Sequence, residues 1–335
     1  MKVLVTGGAG YIGSVCVERL VAEGHSVVVI DNLQEGHREA VSPEADLYTG
    51  DYGDRDLLAR VFSEHAVEAV IHFAAETTIA LSMTDPGRYF HNNLVAGIAL
   101  LDAMREYGCE RFIFSSTAAI FGEPEYTPID ENHRTVPINA YGESKLMFEQ
   151  VLERYHRAYG LRFNAFRYFN AAGAVAGLGE DHRHESHLIP IIIRCVTGRS
   201  ERLQIFGNDY PTPDGTCIRD YVHVADLASA HILALNGLDA FPNRKYNLGN
   251  ERGYSNLDVV RAVEAAIGKK VPFEFAPRRA GDPAVLIASS ALAREELGWR
   301  PRFHDLGEIV DSAWQWHRAH PDGYARRPAS KNVVK

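Results

Sequence analysis

Short apolar runs alternate with longer segments of helical periodicity along the first half of the chain. The runs are KVLVTG (2–7), SVVVID (26–31), LYTGD (47–51), AVIHFAA (69–75), RFIFSS (111–116) and NAFRYF (164–169). Several are apolar on successive residues rather than on alternate ones, the pattern of strands buried on both faces of a parallel sheet. Helices are predicted between them, roughly over 12–23, 55–65, 86–107 and 141–159. A repeated β-α-β order predicts an α/β fold with a doubly wound (Rossmann) parallel sheet.

The texture changes near residue 171. AAGAVAGLGEDHRHES reads as a loop, followed by a helix over 188–198, the short strand RLQIF, a loop with two prolines (PTPDG), and helices near 223–236 and 255–267. These elements predict a smaller mixed α/β C-terminal domain for the substrate. The expected division is a cofactor domain over 1–170, with segments near 220–250 (VHVADLASAHILAL and KYNLG) returning to it. A substrate domain would cover 171–219 and 251–320, and 321–335 would be a loosely held polar tail.

Composition narrows the class. The chain has 335 residues, 46% hydrophobic and 24% charged, enough to bury a proper core. Its net charge of −9 argues against nucleic acid or an anionic membrane as partner. No apolar run is long enough to span a bilayer. Cys16, Cys109, Cys195 and Cys217 are far apart with no C-x-x-C spacing, as in a reduced cytoplasmic protein.

The first strand runs directly into TGGAGYIGS. Gly8, Gly10 and Gly13 fit G-x-G-x-x-G; Gly7, Gly10 and Gly13 fit G-x-x-G-x-x-G. The motif follows a strand, opens a helix, and is followed eighteen residues after Gly13 by Asp31 at the end of the next strand. Such glycines let backbone approach a pyrophosphate at a helix N-terminus. A carboxylate at Asp31 accepts from ribose hydroxyls and repels a 2′-phosphate, so the expected cofactor is NAD rather than NADP.

In AYGESK, Tyr141 and Lys145 are four apart and share a helix face. A phenol ionises near 10. Serving as a base at neutral pH needs roughly 4 kcal/mol of preferential stabilisation of phenolate, which a neighbouring ammonium and an oxidised nicotinamide could share. The strand RFIFSS ends at Ser115-Ser116-Thr117, where doubly wound folds place ligands, and Thr117 could share a proton with Tyr141. Glycine loop, then Ser/Thr after a later strand, then Y-x-x-x-K: this order resembles the extended short-chain dehydrogenase/reductase superfamily.

The resemblance narrows along the whole chain. TGGAGYIGS, DNL, HFAA, FSSTAAIFGEP, AYGESK, RYFNAAGA, HLIP, IFGNDYPTPDGTCIRDYVHVADLA, YNLG and PRRAGDPA, in this order, are similar to the UDP-glucose 4-epimerase family. That resemblance implies NAD-dependent 4-epimerisation of UDP-hexoses: Tyr141 takes the 4-hydroxyl proton, hydride leaves C4 for NAD, and hydride returns to the other face of a 4-keto sugar. It implies Thr117, Tyr141 and Lys145 as catalytic. The implied cofactor residues are Gly7, Gly10, Tyr11, Ile12, Gly13, Asp31, Asn32, Asp51, Tyr52, Phe73, Ala74, Ala75, Asn92, Lys145 and Tyr168, with Asp51 and Tyr52 at adenine. For the UDP-sugar it implies Thr117, Asn170, His187, Leu188, Gln204, Phe206, Arg219, Arg279 and Asp282. It also implies a homodimer.

Three positions depart from the family pattern. Thr77 stands where a lysine often meets the NAD phosphates, and Phe121 replaces a common tyrosine. Val285 is expected near the sugar 2-position, where some members carry a crowding tyrosine; the smaller side chain implies room for N-acetylated sugars (UDP-GlcNAc/UDP-GalNAc). Nucleotide-sugar 4,6-dehydratases share the NAD site but place Asp-Glu after the Thr, where this chain has Ala118 and Ala119. A non-catalytic NAD-binding protein would usually lose the Tyr or Lys. DHRHESH (181–187) is expected to be a solvated loop, with no metal.

Overall fold

The computed structural model describes residues 1–199, 202–279 and 281–324. Six strands open the chain: β1 (Lys2–Thr6), β2 (Ser26–Asp31), β3 (Asp46–Thr49), β4 (Ala69–His72), β5 (Arg111–Thr117) and β6 (Arg162–Tyr168). β7 (Asn170–Ala172), β8 (Leu203–Phe206) and β9 (Ile218–His223) precede β10 (Arg244–Leu248). Then come β11 (Gly253–Ser255), β12 (Phe273–Ala276) and β13 (Val285–Leu286).

The helices are α1 (Tyr11–Ala22), α2 (Arg55–Glu64), α3 (Ile79–Thr84), α4 (Pro86–Tyr89), α5 (Ala96–Glu106), α6 (Ala140–Tyr159), α7 (Leu188–Val196), α8 (Val224–Gly237), α9 (Asn256–Ile267), α10 (Ala291–Glu296) and α11 (Leu306–Ala319).

Seven strands form one parallel sheet in the order β10-β6-β5-β4-β1-β2-β3. Its strands are apolar on consecutive positions because both faces are covered. In β1, Val3 and Val5 join the core beneath α1 and α8, while Leu4 joins the opposite core beneath α2, α5 and α6. β2 repeats this with Val27 and Val29 against Val28 and Ile30. The winding reverses between β1 and β4, the switch point of a doubly wound sheet.

The smaller lobe pairs β11-β9-β13, with β7 also on β9, and sets β8 beside β12. Its core packs α7, α9 and α11 around Ile192, Val260 and Ile309. The single helix expected over 86–107 is interrupted by a π-helical turn over Phe90–Val95. The tail expectation needs correction at its start. The Tyr324 amide donates to Asp181 at 3.0 Å and the Gly179 amide donates to the Tyr324 hydroxyl at 2.9 Å, so 321–324 are docked. Residues 325–335 lie outside the described residues. Among those described, no helix is long and apolar enough to cross a membrane.

Candidate functional site

A crevice of about 1340 Å³ opens outside the carboxyl ends of the parallel strands, at the switch point, and extends to the smaller lobe. Single-ligand pockets measure about 300–1,000 Å³, so this one has room for a dinucleotide and a second molecule. Every residue singled out from the resemblance lines it except Asp51 and Lys145.

The glycine loop forms one end. Gly7 leaves β1 at φ +75°, and a Cβ there would sit 2.5 Å from the Ala74 nitrogen; at Gly13 it would sit 2.1 Å from the Gly7 oxygen. Only glycine fits either place. Gly10 caps α1 without any side-chain hydrogen bond, so the first-turn amides are not occupied by a capping side chain. With Gly10, Tyr11, Ile12 and Gly13 lining the cavity, the helix start fits a pyrophosphate. Asp31 is held opposite: its two oxygens accept from the Ala9 and Leu33 amides at 3.0 and 2.8 Å. Burial raises this carboxyl and the two amide bonds oppose it. Asn32 lines the cavity beside it, and Phe73, Ala74 and Ala75 continue from β4. Tyr52 and Asn92 meet through a hydrogen bond from the Tyr52 hydroxyl to the Asn92 carbonyl. Asp51 instead faces solvent and accepts from the Gly53 amide at 2.7 Å. At the other side Tyr168 ends β6, its hydroxyl 2.5 Å from His231 Nε2.

At the centre, α6 starts where Asn139 accepts from the Gly142 amide at 2.8 Å. This directs Tyr141 into the cavity and Lys145, one turn on, under the sheet. Burial pushes the Tyr141 phenol up and the Thr117 hydroxyl draws it back. Lys145 is 2% exposed; its Nζ donates to the Ser115 carbonyl at 2.9 Å and lies 4.8 Å from the Phe114 ring centre. Burial lowers it to about 7. In the chain alone burial therefore dominates the phenol, and it also disfavours the Lys145 charge that would lower it.

A stability consequence follows. The unfolded lysine ionises near 10.4, so between about pH 7 and 10 the unfolded chain holds a proton that the folded one has released. Stability of cofactor-stripped protein should rise with pH there by on the order of 1.4 kcal/mol per unit from this group. Urea midpoints at pH 7 and 9 are expected to show this rise in the wild type, and a flatter one in Lys145→Met.

The smaller lobe supplies the far wall. Asn170 comes from β7, Leu188 opens α7, Gln204 and Phe206 belong to β8, and Arg219 to β9. Arg219 is ion-paired with Asp282. The Arg279 guanidinium stacks 3.8 Å over the Phe206 ring, a platform suited to a flat base.

Two expectations are corrected. Val285 does not line the cavity; Leu286 does. Successive residues of a strand face opposite ways, and the pairing of Val285 with Ile218 and Leu286 with Arg219 sets which faces in. The segment 181–187 is not simply solvated: His184 is exposed and pairs with Glu35, but His182, Glu185 and His187 converge with Glu180. Phe121 is buried under the Arg167 guanidinium and away from the cavity, while Thr77 lines it. Gln34, Ile138, Glu180 and Tyr221 also line the cavity and were missed: Gln34 and Ile138 lie outside the quoted motifs, and nothing in IRDYVH singled out Tyr221. Glu180 alone carried a local signal, as the first member of E-x-H-x-x-E-x-H.

Comparison with known proteins agrees with this geometry. The model of the NAD-dependent epimerase/dehydratase family matches residues 3–249. A UDP-glucose 4-epimerase of Lacticaseibacillus casei is 50% identical over 98% of this chain and its own full length. The structure of UDP-glucose 4-epimerase from Bifidobacterium longum with NAD+ and UDP superposes with a TM-score of 0.93, at 36% identity, covering 96% of this chain and 100% of that one. The UDP-Glc/GlcNAc 4-epimerase of Campylobacter jejuni gives 0.83 at 38%, covering 95% and 99%. With a family model that matches most of the chain and relatives similar over nearly all of it, the chain belongs to the NAD-dependent epimerase/dehydratase family and, within it, to the UDP-glucose 4-epimerases.

Proposed function

We propose that the protein interconverts UDP-glucose and UDP-galactose by NAD-dependent epimerisation at C4, with Tyr141 as the base. The observation that carries this reading is that one cavity holds the Tyr141 phenol, Thr117, the uncapped start of α1 and the Phe206–Arg279 platform. When bound along the Gly7–Gly13 loop and Asp31, NAD would supply the hydride acceptor and a positive charge that favours phenolate. Tyr141 then takes the 4-hydroxyl proton, Thr117 bridges the phenol and the sugar oxygen, and Lys145, held by the Ser115 carbonyl just behind the cavity lining, would reach the ribose side only once NAD is bound. A 4-keto sugar must turn within the site, so binding energy belongs on the nucleotide. Phe206 and Arg279 take the uracil end, and Arg219, braced by Asp282, takes the diphosphate. Purified protein is expected to convert UDP-galactose to UDP-glucose; absence of any turnover with NAD bound would overturn the assignment.

N-acetylated sugars are part of the proposal. Leu286, the residue of β13 that lines the cavity, is smaller than a tyrosine and would leave space beside the sugar, and the Campylobacter jejuni relative is a UDP-Glc/GlcNAc 4-epimerase. Wild-type protein should turn over UDP-GlcNAc. Leu286→Tyr should lower its kcat/KM by roughly 10-fold or more while changing UDP-galactose far less. Equal losses on both sugars would show that Leu286 does not select at the 2-position.

A dehydratase needs an acid and a base next to Thr117, and the cavity has Ala118 and Ala119 there, which transfer no proton. Family resemblance also supports a homodimer, checked by light scattering at twice 37.2 kDa. Four buried, unbonded cysteines fit a cytoplasmic setting.

A further inference from the structure

The segment between β7 and α7 gathers four potential ligands on one point. Glu180, His182, Glu185 and His187 each place a ligand atom so that all four lie within 4.8 Å of one another. His182 Nδ1 is 3.5 Å from Glu180 Oε1 and 3.5 Å from Glu185 Oε2. His187 Nδ1 is 3.5 Å from Glu185 Oε1 and 2.7 Å from Glu180 Oε1. A tetrahedral zinc site with bonds of about 2.0–2.1 Å has edges of about 3.4 Å. The two His182 spacings match such an edge, and a bound cation would have to open the 2.7 Å spacing between His187 and Glu180.

Two features set this cluster apart from ordinary His–Glu ion pairs. Glu180 Oε1, His182 Nδ1 and Glu185 Oε2 are buried and lack a well-aligned hydrogen bond, although His187 Nδ1 lies 2.7 Å from Glu180 Oε1 and His182 Nδ1 lies 3.5 Å from both carboxylates. The atoms converge without donor–acceptor alignment. Buried polar atoms are normally paired, and one cation satisfies all three. The two carboxylates are also deeply buried, with side chains 6% and 2% exposed, and the nearest guanidinium, Arg194, reaches Glu185 only at 3.9 Å. Glu185 is held for the role: its Oε1 accepts from the Ser186 and His187 amides at 2.9 Å each, which aims Oε2 inward. Two imidazole nitrogens and two carboxylate oxygens suit zinc rather than magnesium or calcium, which prefer all-oxygen shells.

We propose that Glu180, His182, Glu185 and His187 form a four-ligand structural site for a divalent transition metal of the zinc class. With every ligand from the protein the site is closed and does no chemistry itself. It fixes the wall between the glycine loop and the start of α7. Glu180, His182 and His187 line the cavity, the Tyr11 ring meets His182 edge-on at 6.4 Å, and His37 Nε2 lies 2.7 Å from the Asp181 carbonyl. His187 faces the cation through Nδ1, leaving its other nitrogen for the cavity. None of this depends on the sugar reaction assigned above.

Metal content of the full chain, made without a histidine tag, tests the proposal. After exchange into metal-free buffer, mass spectrometry is expected to find about one equivalent of zinc per chain. Chelated protein titrated with Co²⁺ should saturate at one equivalent with the intense visible bands of a tetrahedral site, and His182→Gln should lose both signals. Less than about a tenth of an equivalent together with no Co²⁺ bands, or full metal retention in His182→Gln, overturns it. Should that variant fail to fold, the Co²⁺ titration of the wild-type chain decides alone: tetrahedral bands support the site, and their absence rejects it.

Discussion

Tyr141→Phe lowers kcat for UDP-galactose epimerisation by about 10²–10⁴-fold, the usual contribution of a positioned proton-transfer group, and leaves NAD bound. Phenylalanine keeps the ring volume and the α6 cap, where Asn139 bonds the Gly142 amide, so the cavity wall is unchanged. Only the hydroxyl that meets Thr117 is lost. Coupled-assay kcat and cofactor retention after gel filtration check the two halves separately. A variant at near-normal rate assigns the base to another group. A variant that loses cofactor shows instead that the tyrosine is part of the dinucleotide site.

Glu149→Ala is expected to cost about 3–5 kcal/mol of stability, the loss seen when one partner of a buried ion pair is removed. Glu149 and Arg167 have side chains 0% and 4% exposed, paired at 2.8 Å through Nη2, with a second bond from Nε at 3.1 Å. Ser116 donates to the same carboxylate at 2.6 Å. This network fastens α6 to β5 and β6 directly behind Thr117, so its loss leaves the Ser116 hydroxyl without its acceptor and the buried guanidinium with only the Glu131 carbonyl at 3.4 Å. Denaturant midpoints report the effect, and a change below about 1 kcal/mol would mean that water or a neighbouring carbonyl takes over.

The large sheet was legible because burial on both faces forces unbroken apolar runs, and the glycine loop because no other residue fits where Gly7 and Gly13 sit. β9 was not. Its IRDYVH carries Arg219 and Asp220, polar residues that are nonetheless buried: one is paired with Asp282, the other accepts from the Asn250, Glu251 and Ala288 amides. Polar residues in a buried strand hide it from any hydrophobic pattern. The face of β13 depended on its partner strand, so the sequence pointed one residue away from Leu286. The π-helical turn at Phe90–Val95 left no residue signature, though Asn93 within it receives the Glu76 amide at 2.8 Å. α11 was not predicted, although Leu306, Ile309, Val310 and Ala313 recur at helical spacing.

β10 joins the large sheet beside β6, pairing from Arg244 with Asn164 through Leu248 with Tyr168. A ribosome making this protein must therefore produce the first part of the smaller lobe, from β7 to β9, before the cofactor half has its last strand. Until residue 248 emerges, β6 has one row of amides and carbonyls with no neighbour, and Phe166 lacks the cover of Tyr246. A fragment cut at 170 would keep that raw edge permanently, and would associate with itself rather than act as an independent nucleotide-holding module.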